Sequence, residues 1–231
     1  MKKLSLLLLC ILTADVSRAA TVSWGAAIDT GIIDVASLAL PVGNVVRIGY
    51  FGSFSGALIT ANATTNAGLS ILDSDFHQFA QSTIGTGTAN TPATFSVNST
   101  PSYASLSGFT PNTQIYFWAF KSSNTSSIAN VLATASETAI AYVPFANNSS
   151  WQFPASDIAA AKSIDLTQLS NANTVVLAGN YKASNTASLT GIFGATNHAL
   201  QLATVVPEPS VITFSIIGFF GAAQMRRRKR K

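Results

Sequence analysis

Two histidines, one cysteine and a few carboxylates are all that the chain offers to metal or acid–base chemistry. The histidines are His77 and His198, and the cysteine is Cys10. Transition-metal sites gather His and Cys ligands, and with Cys10 inside an N-terminal apolar run no such cluster remains; neither a metal nor a cofactor is expected. Asp73 and Asp75 stand two apart, a spacing that turns them away from each other on a helix. They also lack the further acidic and Asn ligands of a calcium loop. Glu137 is the sole glutamate between Ala20 and Val206 and has no evident partner in the sequence. No serine sits in a Gly-x-Ser-x-Gly elbow, and neither a phosphate loop nor a dinucleotide fingerprint occurs. This inventory argues against an enzyme. A hydrolase would need carboxylates from distant segments to meet in a cleft.

The aromatic set carries a different chemistry. Trp24, Trp118 and Trp151, with Tyr50, Tyr103, Tyr116, Tyr142 and Tyr181, are residue types that stack on sugars, and equally the types that fill cores. Taken singly, each reads better as core. Trp151 follows the polar run Asn147, Asn148, Ser149 and Ser150, so it is the one candidate for an exposed, ligand-stacking position, with an extracellular polysaccharide as the partner.

Charge narrows the partners further. The chain holds 13 Lys and Arg against 9 Asp and Glu, a balance that invites a nucleic-acid reading until the cations are located. Lys2, Lys3 and Arg18 lie at one end, and Arg226, Arg227, Arg228, Lys229, Arg230 and Lys231 close the other. Between Ala20 and Val206, four cations meet seven carboxylates for a net charge of −3. The body has no basic stripe to neutralise phosphates, and no nucleic-acid partner is expected.

The N-terminus has the three parts of a secretory signal: Lys2 and Lys3, an apolar run over 4–12, and the small-x-small site Ser17, Arg18, Ala19. Cleavage after Ala19 is the expectation. The apolar run is too short for a lasting bilayer span of about 20 residues. Leu9 before Cys10 and Ile11 after it do not fit a lipid-modified cysteine. Removal of the leader leaves a body without cysteine, which cannot rely on disulfides.

The C-terminal 26 residues place three signals in succession. Pro207, Glu208 and Pro209 come first, in the run Val206-Pro207-Glu208-Pro209-Ser210. An apolar stretch over 211–225 follows, broken only by small or weakly polar residues, and then the six cations of 226–231. Paired prolines keep a segment extended and without backbone donors. Cations flanking a short apolar span hold that end in the cytoplasm. The span is short for a ~30 Å hydrocarbon core, a gap that snorkelling arginines and local thinning can close.

This tail resembles the PEP-CTERM sorting signal, whose pattern is a Pro-Glu-Pro tripeptide, one hydrophobic span and an Arg-rich end. The resemblance covers about a tenth of the chain. It implies an exosortase-type processing enzyme as partner, transient anchoring in the inner membrane through a C-terminal transmembrane helix, and delivery of the body to the cell surface or extracellular matrix. On that reading Pro207, Glu208 and Pro209 are a recognition segment, and the basic cluster 226–231 is a cytoplasmic anchor. A permanent single-pass anchor is the alternative.

The elements between the two ends read as mainly β. Short β-branched or aromatic stretches at 21–28, 45–51, 93–98, 113–121, 128–134, 138–143, 174–182, 188–193 and 199–205 are separated by turn residues. In 113–121, Ile115, Phe117 and Ala119 alternate with Tyr116, Trp118 and Phe120, so both faces are apolar and the strand should be covered on both sides. Apolar spacing predicts a helix over 69–82, with His77 on its polar side, and Ser156 is placed to cap a short helix over 157–162. His198, after Asn197, is expected in a turn. The expected organisation is a signal peptide (1–19), one antiparallel β-sandwich-like domain with one or two short helices (20–205), and the sorting tail (206–231). The expected function is that of a non-enzymatic exported surface or matrix protein, with a carbohydrate-binding or adhesive module as the alternative and an envelope hydrolase behind both.

Overall fold

The apolar stretch at 45–51 forms a strand buried along its whole length, and the rest of the molecule is arranged about it. The computed structural model describes residues 19–27, 30–183 and 198–207. In chain order these form β1 (Val22–Ala26), β2 (Thr30–Ile33), β3 (Val45–Phe51), α1 (Gly56–Asn62), α2 (Asn66–Asp75), β4 (Phe76–Thr83), β5 (Phe95–Ser99) and β6 (Tyr116–Ser122). There follow α3 (Ile128–Thr134), β7 (Ala135–Tyr142), β8 (Lys162–Asp165), β9 (Val175–Ala178), β10 (Asn180–Lys182), β11 (His198–Gln201) and β12 (Ala203–Thr204).

The fold is mainly β. A six-stranded sheet runs β12-β7-β6-β3-β4, with β9 also paired to β7. Two three-stranded sheets, β5-β1-β8 and β10-β11-β2, complete it. Most pairings are antiparallel, but β1 with β8 and β2 with β11 are parallel, so the expected all-antiparallel arrangement gives way to mixed small sheets. Parallel neighbours need long crossovers, and here the partners come from opposite ends of the chain.

Alternation along β6 sets up two cores. Phe117 and Ala119, with Ile115 before the strand, pack with Val46, Ile48, Trp24, Phe95, Ile164 and Leu200, joining the large sheet to both small ones. Trp118 and Phe120 point the other way, into a second core with Val45, Ile59, Leu69, Leu72, Val131 and Leu132 supplied largely by the helices. The strand is thus covered on both sides, as its sequence predicts.

Each helix starts on a hydroxyl cap: Ser55 accepts from Leu58 N, Thr65 from Gly68 N and Ser127 from Asn130 N. Such caps satisfy one of the orphan N–H groups of the first turn. Among the described residues Arg47 is the one cation sunk in the helix-side core, 4 % exposed. Its Nη1 donates to Asp73 Oδ1 at 2.6 Å and its Nε to Gln78 Oε1 at 2.6 Å. The guanidinium lies over the rings of Phe76 and Trp118.

Several expected elements differ. The helix expected over 69–82 ends at Asp75, and Phe76–Thr83 is a strand. Residues three apart on a strand point to opposite faces, and a bulge lies further along β4, opposite Ile48 and Gly49. Phe76 therefore faces the helix-side core and Phe79 the other. The strand expected over 128–134 is α3, in which Val131 and Leu132 are buried. No helix forms over 157–162, where the chain turns and then enters β8. The stretch 174–182 divides at Gly179, whose φ of 89° suits glycine and where an added Cβ would come 2.3 Å from the Gln201 carbonyl oxygen. There are three short helices among the described residues, one more than expected, and the strand expected over 188–193 lies outside those residues.

Candidate functional site

The last described residues of the chain are held by backbone pairing. Strand β12 lies antiparallel on β7, with Ala203 opposite Thr138 and Thr204 opposite Glu137. Val205 N then donates to Ser136 O at 2.8 Å, and its side chain, 2 % exposed, enters the helix-side core. Val206 N donates to Thr64 O at 2.8 Å in a single bridge beside the cap of α2, while its side chain is 58 % exposed. Pro207 follows, exposed and without an N–H. Among the described residues, backbone pairing runs as far as Val206. Glu208, Pro209, the apolar stretch 211–225 and the basic residues 226–231 lie outside the described residues. Among the described residues no helix is long and apolar enough to cross a membrane.

Trp151, the one candidate for an exposed stacking position, is instead a core residue, the reading favoured for each aromatic taken singly. It is 0 % exposed, because the single helical turn Ser149–Trp151, capped by Asn148, leaves the polar residues outside and turns the indole inward. Its N–H donates to Gln168 Oε1 at 2.7 Å, which satisfies the polar edge of a buried indole. The crevice it shares with Trp24, Gly25, Phe117, Ile164 and Leu166 has no room for a water molecule. Trp24 and Trp118 are buried as well, and among the described aromatic residues only Phe145 is strongly exposed. Among the described residues no aromatic row faces solvent.

The histidines sit on strands. His77, expected on a helix, lies on β4 opposite Tyr50, and the two rings stack at 4.6 Å. His198 opens β11 opposite Thr30 where a turn was expected. Asp73 and Asp75 do part company: Asp73 pairs with Arg47, while Asp75 accepts from the backbone N–H groups of Ser53 and Phe54 and from the Ser53 hydroxyl. No three His, Cys, Asp or Glu side chains come together among the described residues.

A cluster that the sequence did not disclose joins Lys121, Asp34 and Glu137. Lys121 and Glu137 are cross-strand neighbours on β6 and β7, and Asp34 arrives from the turn after β2. Lys121 Nζ donates to Asp34 Oδ2 and to Glu137 Oε1, both at 2.9 Å. The remaining oxygens accept backbone N–H groups, Asp34 Oδ1 from Leu38 and Glu137 Oε2 from Val35. All four carboxylate oxygens are engaged. The hydrogen bond to Asp34 holds the Lys121 ammonium above the usual lysine range, against the opposing effect of burial and with help from Glu137. Burial pushes the Asp34 carboxyl up, but Lys121 and the Leu38 N–H outweigh it and leave it below the usual range. A lysine held protonated is a poor base or nucleophile, and two carboxylates bound to it do not flank a cleft as a glycosidase pair must. The arrangement is a clamp that fastens the turn after β2 to the large sheet.

Comparison of the chain with protein-family models, with curated proteins and with solved structures finds no significant match in any of the three.

Proposed function

We propose that this chain is an exported, non-enzymatic cell-surface or matrix protein, delivered through a PEP-CTERM-like tail and processed by an exosortase-type enzyme. On this reading residues 1–19 are a cleaved leader, 20–205 the exported body and 206–231 the sorting tail. The transmembrane helix is the stretch 211–225, with Arg226, Arg227, Arg228, Lys229, Arg230 and Lys231 on the cytoplasmic side. The body is sandwich-like in that two small sheets back one face of the large one, with helices on the other.

The observation that carries the reading is a coincidence of boundaries. Among the described residues the last backbone pairing, Val206 N to Thr64 O, falls on the first residue of the tail, directly before Pro207. A processing enzyme needs an extended, accessible segment, and Pro207 is exposed and unpaired at its start. The buried tryptophans and the saturated Lys121 cluster give no support to an adhesive or hydrolytic body. Extracellular polysaccharide remains the expected environment of the delivered protein.

Fractionation of the native host tests this. The wild-type body is expected outside the inner membrane, whereas replacement of Pro207, Glu208 and Pro209 by alanine should hold the full chain in the membrane with its tail intact. Equal release of both would overturn the role given to the tripeptide.

A further inference from the structure

We propose that Asp157 is a built-in receptor for the amino terminus that leader removal creates at Ala20. The inference rests on the leader reading above and goes beyond it by naming what the new terminus binds. Ala20 is fully buried, its side chain within the core shared by the sheets. Its backbone nitrogen donates to Asp157 Oδ1 at 3.3 Å. Hydrolysis of the Ala19–Ala20 bond consumes one water and leaves a carboxylate on Ala19 and an amine on Ala20, which takes up a proton at neutral pH. The same nitrogen thereby changes from a neutral amide donor to an ammonium, and its contact with Asp157 becomes an ion pair.

The receptor is assembled independently of that charge. Asp157 Oδ1 accepts from Tyr103 N at 2.9 Å and Oδ2 from the Ser102 hydroxyl at 2.8 Å, which fixes the carboxylate in place. Among the described residues no lysine or arginine pairs with Asp157. The other titratable groups at this end are Tyr103, whose hydroxyl donates to Pro154 O, and Lys162 on β8, whose ammonium is turned to Ser149 O. A terminal ammonium held against the core without a counter-charge is unfavourable, and among the described residues Asp157 is the anion placed to receive it. Processing at Ala19 would thus leave an end that is locked to the body, while processing elsewhere would not.

The test uses the protein as its host exports it. Intact mass establishes the first residue, and NMR titration of the α-amino group reads its ionisation. We expect a chain starting at Ala20 whose α-amine titrates above the ordinary ~8. In Asp157→Asn, which keeps the amide-accepting oxygen, the amine should return to that ordinary value. The wild-type melting temperature should fall as pH rises through the raised value, and the variant should lose that dependence. A chain starting elsewhere overturns both the leader boundary and the receptor. A chain starting at Ala20 with an ordinary α-amine overturns the receptor alone, and this measurement on the wild type stands even where the variant folds poorly.

Discussion

Val206 donates its backbone N–H to the carbonyl of Thr64 at 2.8 Å, and the next residue, Pro207, has no N–H to give. The described backbone pairing thus reaches the residue before the Pro-Glu-Pro run. Cleavage anywhere in 207–210 should remove none of the body's described contacts, and the processed and full-length forms should melt at the same temperature in detergent. Cleavage before Ala203 would strip β12 and the buried Val205 from the helix-side core, and that product should melt lower. Calorimetry of the three species checks the boundary.

Lys121 neutralises one of the two carboxylates it binds, so its removal leaves Asp34 and Glu137 facing each other nearly buried. Lys121→Met should cost about 2 kcal/mol, between the limits for exposed and buried pairs because the lysine is partly solvated. Asp34 has a folded pKa below its unfolded value, so its contribution is present above the ordinary ~3.9 and is lost as pH falls through the lowered value. Denaturant unfolding across acid pH should show that loss in the wild type and a flatter profile in Asp34→Asn.

Arg47 makes two directed hydrogen bonds, to Asp73 and Gln78, while lying over Phe76 and Trp118. Burial draws the guanidinium's pKa down and Asp73 opposes it. A lysine carries the charge but not the planar fork. Arg47→Lys should destabilise by about 1–3 kcal/mol through the hydrogen bonds it loses, read as a lower urea midpoint with an unchanged slope.

Trp151 tests the burial of the aromatic set. Trp151→Ala should lose about 3–5 kcal/mol, as large-to-small changes in packed cores do. Trp151→Phe keeps much of the ring but orphans Gln168 Oε1, at about 1 kcal/mol or more. Added polysaccharide should leave the tryptophan emission of the exported wild-type protein unchanged; a shift would mean that a ring reaches solvent.

Much of the centre was legible because local and tertiary signals agree there. The run Val45–Phe51 is a strand with the expected bounds, and the two apolar faces of 115–120 each meet a core. The errors lie where one residue type serves two periods. Ile128, Val131 and Thr134 suggest a strand by their β-branching, yet Val131 and Leu132 at i+3 and i+4 from Ile128 already spell a helix face, begun by the Ser127 cap. Phe76 and Phe79 extend the spacing of Leu69 and Leu72 although a bulged strand has replaced the helix. Strands β2 and β8 gave little signal of their own, since both are four residues long and owe their place to parallel partners far along the chain. The Lys121 clamp was hidden for the same reason: only the register of β6 on β7 makes Glu137 its neighbour. The tail reading rests on sequence alone, because its three signals are consecutive and lie almost wholly outside the described residues.

On the proposed reading both ends of the mature chain are made by processing. Peptide mapping with intact mass on the protein recovered from its own host outside the inner membrane tests it most directly. The account predicts a chain that begins at Ala20 and ends within 207–210; a recovered chain that still carries Arg226 to Lys231 would contradict it and make the tail a permanent anchor.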